Sequence, residues 1–213
     1  FILTECLDGR DAQCANVQRS ANGDLWVGSD VVNSGKIIAL QDNLAIEKVE
    51  GIDMIATYDF DMGSWGSMNL NNVLSYVDVW DTQELSGAPT VECAGTFGAT
   101  CGFPTPEYRN NLRATWTTPW SVTASLQWRY IDEVKDNNAI LDLDDVNYLD
   151  ISAIWDVTEW ASLRAGVNNI TDEDPPIIGS NIAGSSIYGA GNTFPGMYDA
   201  AGAYYFIGAA ITF

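Results

Sequence analysis

The chain has no histidine among its 213 residues. This absence excludes Ser-His-Asp and Cys-His nucleophilic machinery, and it removes metal sites that depend on imidazole ligands. It also argues against a barrel hydrolase that relies on a His base. No nucleophile motif is present, and the acidic residues are too scattered to assign a general acid and base. We therefore predict neither catalytic residues nor a metal site nor a cofactor, and the protein is not expected to be an enzyme.

Basic residues are also scarce. Nine Lys and Arg stand against 29 Asp and Glu, which gives a formal net charge of -20. Nucleic acid is not an expected partner, because phosphate binding needs a basic surface. Although 46% of the residues are hydrophobic, no run approaches the roughly 20 apolar residues of a membrane helix. If the chain enters a membrane, it must do so as β-strands.

Only four cysteines are present, and they fall in two pairs, Cys6 with Cys14 and Cys93 with Cys101. Both pairs lie in loop-like sequence, so local pairing is the simplest of the three possible connectivities. Disulfides indicate an oxidising, extracytoplasmic location. A zinc site is the competing interpretation, but the spacing does not fit Cys-x2-Cys knuckles.

Eight Trp and nine Tyr are many for this length. They fit the aromatic girdles of a membrane barrel, although a carbohydrate-binding β-sandwich can also show such enrichment. Seven stretches alternate apolar and polar residues with the period of a strand. They are residues 51–60, 68–76, 108–118, 121–130, 148–157, 161–169 and 202–213.

The connections between these stretches alternate between short and long. Residues 61–66, 119–120 and 158–160 are predicted turns, whereas 81–107, 133–147 and 170–201 are predicted long loops. Outer-membrane barrels show this alternation, with short turns on the periplasmic side and long loops outside. The first 45 residues look like a loop, with brief strands predicted at 25–27 and 37–40.

The polar faces of the predicted strands carry several charges, which suit a wet or plugged barrel lumen better than a dry sandwich core. These residues are Arg109, Arg113, Arg129, Asp150, Asp156 and Arg164. The alternating apolar residues are then predicted to face lipid. About seven strands is an odd number for a bacterial barrel, so we expect the chain to be the C-terminal part of a larger one; a further strand within residues 1–45, which would restore an even count, is the alternative.

Residues 163–177 (LRAGVNNITDEDPPI), 191–199 (GNTFPGMYD) and 202–206 (GAYYF) resemble the C-terminal end of TonB-dependent outer-membrane receptors. Residues 51–53, 92–95 and 104–109 look like stretches of the large-substrate members. The chain departs from the family at Ala203, where the family has Arg, and at Ala201, where it usually has Leu. This puts in doubt the lumen contact of that Arg, but not the fold.

The resemblance implies a transmembrane antiparallel barrel of about 22 strands, of which this chain supplies the last seven or eight. Residues 1–45 would be mainly an extracellular loop and residues 46–213 barrel strands and loops, with the plug domain outside this chain. The implied function is energised uptake of a scarce or bulky nutrient, a siderophore, carbohydrate or peptide, across a Gram-negative outer membrane. A secreted all-β binding module, such as a carbohydrate-binding sandwich, is the alternative.

The resemblance also implies partners for this chain. They are the rest of the same receptor, TonB with ExbB and ExbD, outer-membrane lipid with lipopolysaccharide, and the outer-membrane assembly machinery. By the same resemblance, that machinery recognises alternate residues of the last strand, namely Tyr205, Ile207, Ala209, Ile211 and Phe213.

Five aromatic residues of the predicted loops are candidate ligand contacts, with packing of the loops on one another as the alternative. They are Trp80, Phe97, Phe103, Tyr188 and Phe194. The acidic residues Asp132, Glu133, Asp136 and Asp142 to Asp145 offer oxygen ligands for Ca²⁺ but lack an EF-hand pattern. A solvated acidic outer loop is the favoured interpretation of this stretch.

Overall fold

The described part of the chain is mostly β-strand, which confirms the predicted all-β class. The computed structural model describes residues 2–9, 11–25, 34–38, 46–83, 89–137, 141–178 and 192–212. The chain divides into two compact units, Phe1–Leu44 and Ala45–Phe213. Within the described ranges, no helix is both long enough and apolar enough to cross a membrane.

The first unit contains two short helices, which the sequence pattern did not predict. Its elements are α1 (Ile2–Leu7), α2 (Asp11–Cys14), β1 (Val17–Gln18) and β2 (Lys36–Ile37). A disulfide between Cys6 and Cys14 links the helices. The strands β1 and β2 pair antiparallel, and β2 overlaps the predicted strand at 37–40. Leu25 lies in a bend and not in a strand, and the rest of the predicted 25–27 strand lies outside the described residues.

The second unit contains eleven strands and one 3-10 helix within its described ranges. They are β3 (Ile46–Asp61), the 3-10 helix (Gly63–Trp65), β4 (Ser67–Gln83), β5 (Val91–Glu92), β6 (Thr96–Gly98), β7 (Gly102–Thr105), β8 (Tyr108–Thr117), β9 (Val122–Ile131), β10 (Lys135–Asp136), β11 (Val146–Thr158), β12 (Ala161–Asn168) and β13 (Tyr204–Ile211).

Seven of these strands form one antiparallel sheet in the order β3, β4, β8, β9, β11, β12, β13. This order confirms the seven predicted strands and the predicted pairing of the last two, in which Ala161 lies opposite Ile211. The short strand β5 adds to β4. The sheet is open, because β3 and β13 lie at its two edges and are not paired with each other in the described part of the chain.

The turn between β3 and β4 is short, and its glycines explain why. Gly63 and Gly66 both adopt positive φ, a conformation that glycine enters without steric cost. A Cβ on Gly66 would lie 2.0 Å from the backbone oxygen of Thr117 on the neighbouring hairpin. The Asp61 carboxylate accepts the Gly63 backbone N–H at 2.7 Å and closes the turn. The predicted turn at 61–66 is therefore confirmed.

The predicted loop over residues 81–107 was wrong in part. Strand β4 continues to Gln83, and the region also contains β5, β6 and β7. The strands β6 and β7 form a small sheet with β10, which belongs to the next predicted loop. The second disulfide, Cys93–Cys101, lies within this region, so local pairing is confirmed at both cysteine pairs. Closing a loop of this size stabilises a fold by about 2–3 kcal/mol.

One face of the main sheet consists mostly of apolar residues, and we call it the apolar face. On this face, the register places apolar residues of neighbouring strands opposite each other. For example, Leu126 lies opposite Ile151, and Ile151 lies opposite Val167. The residues of this face include Ile52, Met54, Tyr58, Leu70, Leu74, Leu112, Ala114, Leu126, Ile151, Ala153, Leu163, Val167, Ile207 and Ala209. Asn72 and Asn110 interrupt it. Many of its large side chains are exposed, including Ile52 at 66% and Ile207 at 85%.

Aromatic residues border the apolar face at both ends. Near the short turns, Trp65 and Trp116 both meet Trp120 edge to face, with ring centroids 6.2 and 6.3 Å apart. We call this border, with Trp155 and Trp160, the Trp belt. At the opposite end, Tyr130 lies 5.7 Å from Tyr108 and 6.0 Å from Trp128. We call this border, with Tyr76, the Tyr belt.

Candidate functional site

The opposite face of the sheet, which we call the polar face, carries a ladder of hydrogen bonds between neighbouring strands. On β3 and β4, Asn69 Nδ2 donates to Asp59 Oδ1 at 2.6 Å, and Ser75 Oγ donates to Asp53 Oδ1 at 2.6 Å. On β8 and β9, Gln127 Nε2 donates to Asn111 Oδ1 at 2.9 Å. Cross-strand pairs of this kind each stabilise a sheet by less than about 1 kcal/mol.

Long loops fold over one end of the polar face, at the end opposite the short turns. Their buried side chains pack against residues of β9 and β11 that point to this face. This loop cluster consists of Phe97, Ile131, Val134, Leu143, Val146, Tyr148, Ile178, Phe194 and Tyr198. Within the described residues of the second unit, the loops therefore cover one end of the polar face, and many large side chains of the apolar face are exposed.

Arg129 fastens one of these loops to the sheet. Its Nε and Nη2 donate to the two carboxylate oxygens of Asp150 on β11, at 2.7 and 3.1 Å. Its Nη1 and Nη2 donate to Asp199 in the loop, at 3.1 and 2.6 Å. The guanidinium also lies 4.7 Å from the centroid of the Tyr148 ring, which is a cation–π contact. One arginine thus bridges two strands and a loop.

Tyr148 forms a further hydrogen bond to the same loop. The backbone N–H of Asp199 donates to the Tyr148 hydroxyl at 3.2 Å. Tyr148 is fully buried, with 0% of its surface exposed. The position of Asp199 is therefore fixed through both its backbone and its carboxylate.

After β12, residues 169–172 form a tight turn that supports this region, closed by a hydrogen bond from the Asp172 backbone N–H to the Asn169 carbonyl at 3.0 Å. Asn169 adopts positive φ, is fully buried, and receives the backbone N–H of Glu173 at 2.9 Å. Its own backbone N–H donates to Asp150 at 2.8 Å. The Asp172 carboxylate accepts the backbone N–H of Ala203 at 2.7 Å, and a Cβ on Gly202 would lie 2.3 Å from the same oxygen. The contact between residue 203 and Asp172 is therefore made by the backbone of Ala203 and not by its side chain.

Three of the five aromatic candidates come together in the loop cluster region. Phe194 packs edge to face on Phe97 at 5.6 Å and on Phe103 at 6.3 Å. Phe97 and Phe194 are buried, whereas Phe103 is 57% exposed. Packing of the loops on one another accounts for the two buried rings. Trp80 lies in strand β4, Phe97 in β6 and Phe103 in β7, which corrects their assignment to loops, and Tyr188 lies outside the described residues.

Four acidic residues of the predicted solvated loop, Glu133, Asp142, Asp144 and Asp145, are exposed, whereas other residues of the same stretch are buried. Val134 and Leu143 are buried, and Asp136 is only 6% exposed. Tyr130 donates to Asp132 at 2.9 Å, and Lys135 pairs with Glu133 at 3.2 Å. Among the described side chains, no group of three or more acidic or thiol residues is arranged to hold a metal ion.

The residues that organise this region were only partly visible in the sequence. Arg129 and Asp150 were identified as charges of the polar face, but Asp199 was not singled out. The only signal for Asp199 in the sequence was weak, namely its position after an aromatic residue in 191–199. Asp199 lies 70 residues from Arg129, so no strand period relates the two residues. The last-strand residues Tyr205, Ile207, Ala209 and Ile211 lie on the apolar face of β13, and Phe213 is outside the described residues.

Tyr198 is the most perturbed group of the loop. Burial raises its pKa to about 12, the neighbouring Tyr148 adds to the rise, and the charge of Arg109 opposes it. The hydroxyl is buried without a hydrogen-bond partner among the described residues, as is that of Thr193. Tyr198 therefore stays neutral at physiological pH and keeps a hydrogen to donate.

No protein-family model, curated protein or solved structure matches this chain.

Proposed function

We propose that residues 46–213 form part of the wall of a transmembrane β-barrel in a Gram-negative outer membrane, within a TonB-dependent receptor. The receptor would take up a scarce or bulky nutrient with energy delivered through TonB, ExbB and ExbD. The observation that carries the proposal is the exposed apolar face, which continues across all seven strands and is bordered by aromatic residues at both ends. Lipid-facing surfaces of outer-membrane barrels have this composition.

The height of the apolar face supports a membrane location. The eight residue steps from Tyr108 in the Tyr belt to Trp116 in the Trp belt span about 26 Å along the strand. With the strand tilt of about 40° that is typical of barrels, this is about 20 Å across the membrane, close to the apolar band of known barrels. A soluble sheet leaves such a surface uncovered only at a cost in solubility.

The polar face supports the same proposal. It combines charged ladders with loops that cover only one end, as expected for a lumen that a ligand enters from outside. Among the described residues, β3 and β13 have no strand partner on their outer sides, and lipid cannot satisfy the backbone groups of such edges. The missing partners are proposed to be the remaining strands of the same receptor, with the assembly machinery closing the barrel.

The test compares two isoleucines of strand β11 that point to opposite faces. Ile151 is 44% exposed on the apolar face, and Ile154 is 46% exposed on the polar face. Ile151→Cys and Ile154→Cys would be labelled with one fluorophore in the intact receptor in vesicles of brominated lipid. All native cysteines among the described residues are paired, so they do not compete for the label.

We expect the bromine atoms to quench the label at position 151 strongly and the label at position 154 weakly. Equal quenching at both positions would overturn the proposed orientation. A secreted binding module predicts a different result again, in which the protein stays soluble without detergent and neither label is quenched. The energised uptake is tested separately, by crosslinking the intact receptor to TonB. If no crosslink forms, the energised uptake is contradicted, whatever the membrane location.

A further inference from the structure

Three arginines lie next to one another on the polar face. Arg109 and Arg113 flank Asn111 on β8, and Arg129 lies directly opposite Asn111 on β9. Alternate residues of a strand are about 6.6 Å apart and share a face, so the three side chains emerge into one region. This concentration is notable in a chain with only nine basic residues and a net charge of -20.

The carboxylates of this region are already used. All four oxygens of Asp150 and Asp199 accept hydrogen bonds from Arg129. Arg113 donates to the neutral amide of Gln127. Within the described part of the chain, neither Arg109 nor Arg113 forms an ion pair. Two guanidinium groups therefore lack a counter-charge here.

Tyr198 supplies an independent observation at the same place. Its side chain is 1% exposed and its hydroxyl has no partner among the described residues. Tyr198 directly precedes Asp199, whose carboxylate accepts hydrogen bonds from Arg129 at 3.1 and 2.6 Å, so the chain places Tyr198 beside the three arginines. A buried hydroxyl without a partner is costly to a fold. A ligand with negatively charged oxygen atoms can accept hydrogen bonds from this hydroxyl and from Arg109.

We propose that Arg109 and Tyr198 form a binding site for a ligand that carries carboxylate or phosphate groups, with Arg113 placed to hold a second such group. Guanidinium forks bind planar or tetrahedral oxyanions through paired hydrogen bonds. The phenol donates one further hydrogen bond. The inference rests on the proposed function, because the ligand reaches the polar face through the open end of the barrel.

The test measures binding of citrate and, separately, inorganic phosphate to the intact receptor in detergent by isothermal titration calorimetry. We expect saturable binding that Arg109→Gln weakens by about tenfold or more, and that Arg113→Gln and Tyr198→Phe weaken by about threefold. Arg164→Gln is the matched control, since Arg164 lies on the polar face of β12 and is not part of the cluster. Unaltered heat-modifiable migration would show that each variant folds.

The relative affinity of the two anions identifies the ligand group, and equal affinities would support an oxyanion site without preference. No saturable binding of either anion at millimolar concentration would overturn the inference. So would equal losses in Arg109→Gln and Arg164→Gln, because a general charge effect would then explain both. If the bromolipid test succeeds and this one fails, only the binding site is refuted and the proposed function stands.

Discussion

The two faces of the main sheet are built from the same seven strands but are stabilised in opposite ways. The polar face is held by cross-strand hydrogen bonds and by loops that pack on one end of it. In the described part of the second unit, the apolar face has hydrogen bonds at its aromatic borders, such as that from Trp128 Nε1 to Asn147 Oδ1 at 3.0 Å, and it carries many of the exposed large hydrophobic residues. A water-soluble sheet normally buries its apolar face and exposes its polar one.

This difference shows that alternation along a strand does not reveal which face is covered. Ile151 and Ile154 have almost the same exposure, yet their neighbours differ completely. Ile151 lies between Leu126 and Val167, whereas Ile154 lies between Thr123 and Arg164. The environment across the strands, and not the residue itself, defines what each side chain meets.

The largest expected effect comes from a charge placed on the apolar face. Ile151→Arg should destabilise the folded receptor in lipid by about 2–4 kcal/mol, because the guanidinium would lie near the middle of the hydrocarbon layer. Ile154→Arg should cost far less, because the proposed barrel places its face in the water-filled lumen. The midpoint of heat-modifiable migration and the amount assembled in the membrane would both be measured.

Ile151→Arg and Ile154→Arg are a matched pair that isolates the effect of the face. Both variants replace an isoleucine with arginine on the same strand at nearly the same exposure, so the change in strand propensity is the same in both. If Ile154→Arg is as damaging as Ile151→Arg, the difference between the faces is not one between lipid and water. The apolar face would then require a protein partner as its cover.

A smaller effect is expected where the loop is fastened to the polar face. Asp199→Asn removes the charge from two hydrogen bonds with Arg129, and charge-assisted bonds are about twice as strong as neutral ones. We expect a local loss of about 1–2 kcal/mol, seen as faster hydrogen exchange in residues 192–200. Asp156→Asn is the control, because Asp156 forms no ion pair within the described ranges. Equal exchange in the two variants would contradict a fastening role for Asp199.

The strands of the main sheet could be predicted from sequence because their period-2 pattern is local. The tight turn at residues 61–66 could be predicted too, since Gly63 and Gly66 mark it directly. The loops could not. Their folded form depends on contacts such as Phe97 with Phe194, which are distant in sequence and carry no periodic signal. Trp80 was assigned to a loop because the pattern of β4 weakens beyond Tyr76, although pairing with β3 continues to Gln83.

The candidate site shows the same division. The arginines of the polar face were visible as alternate residues of β8 and β9, so their common face followed from strand geometry. The contribution of Tyr198 and Asp199 could not be predicted in this way, because both residues are far along the chain from β12, which ends at Asn168, and follow no strand period. Long-range loop packing, and not strand formation, determines the chemistry of this region.

The smallest expected effect concerns Tyr198 and pH. Burial holds its pKa near 12 in the folded state, above the ordinary 10.0, so folding favours the neutral phenol. The unfolded chain loses the proton first as pH rises, and stability therefore falls between pH 10 and pH 12. At about pH 10 the loss is about 0.4 kcal/mol. Since Tyr198→Phe cannot ionise, the difference in thermal midpoint between the native protein and this variant should shift in favour of the variant as pH rises from neutral. A difference that stays constant over this range would show that the hydroxyl is in contact with water, and the loop cluster would then be open at this position.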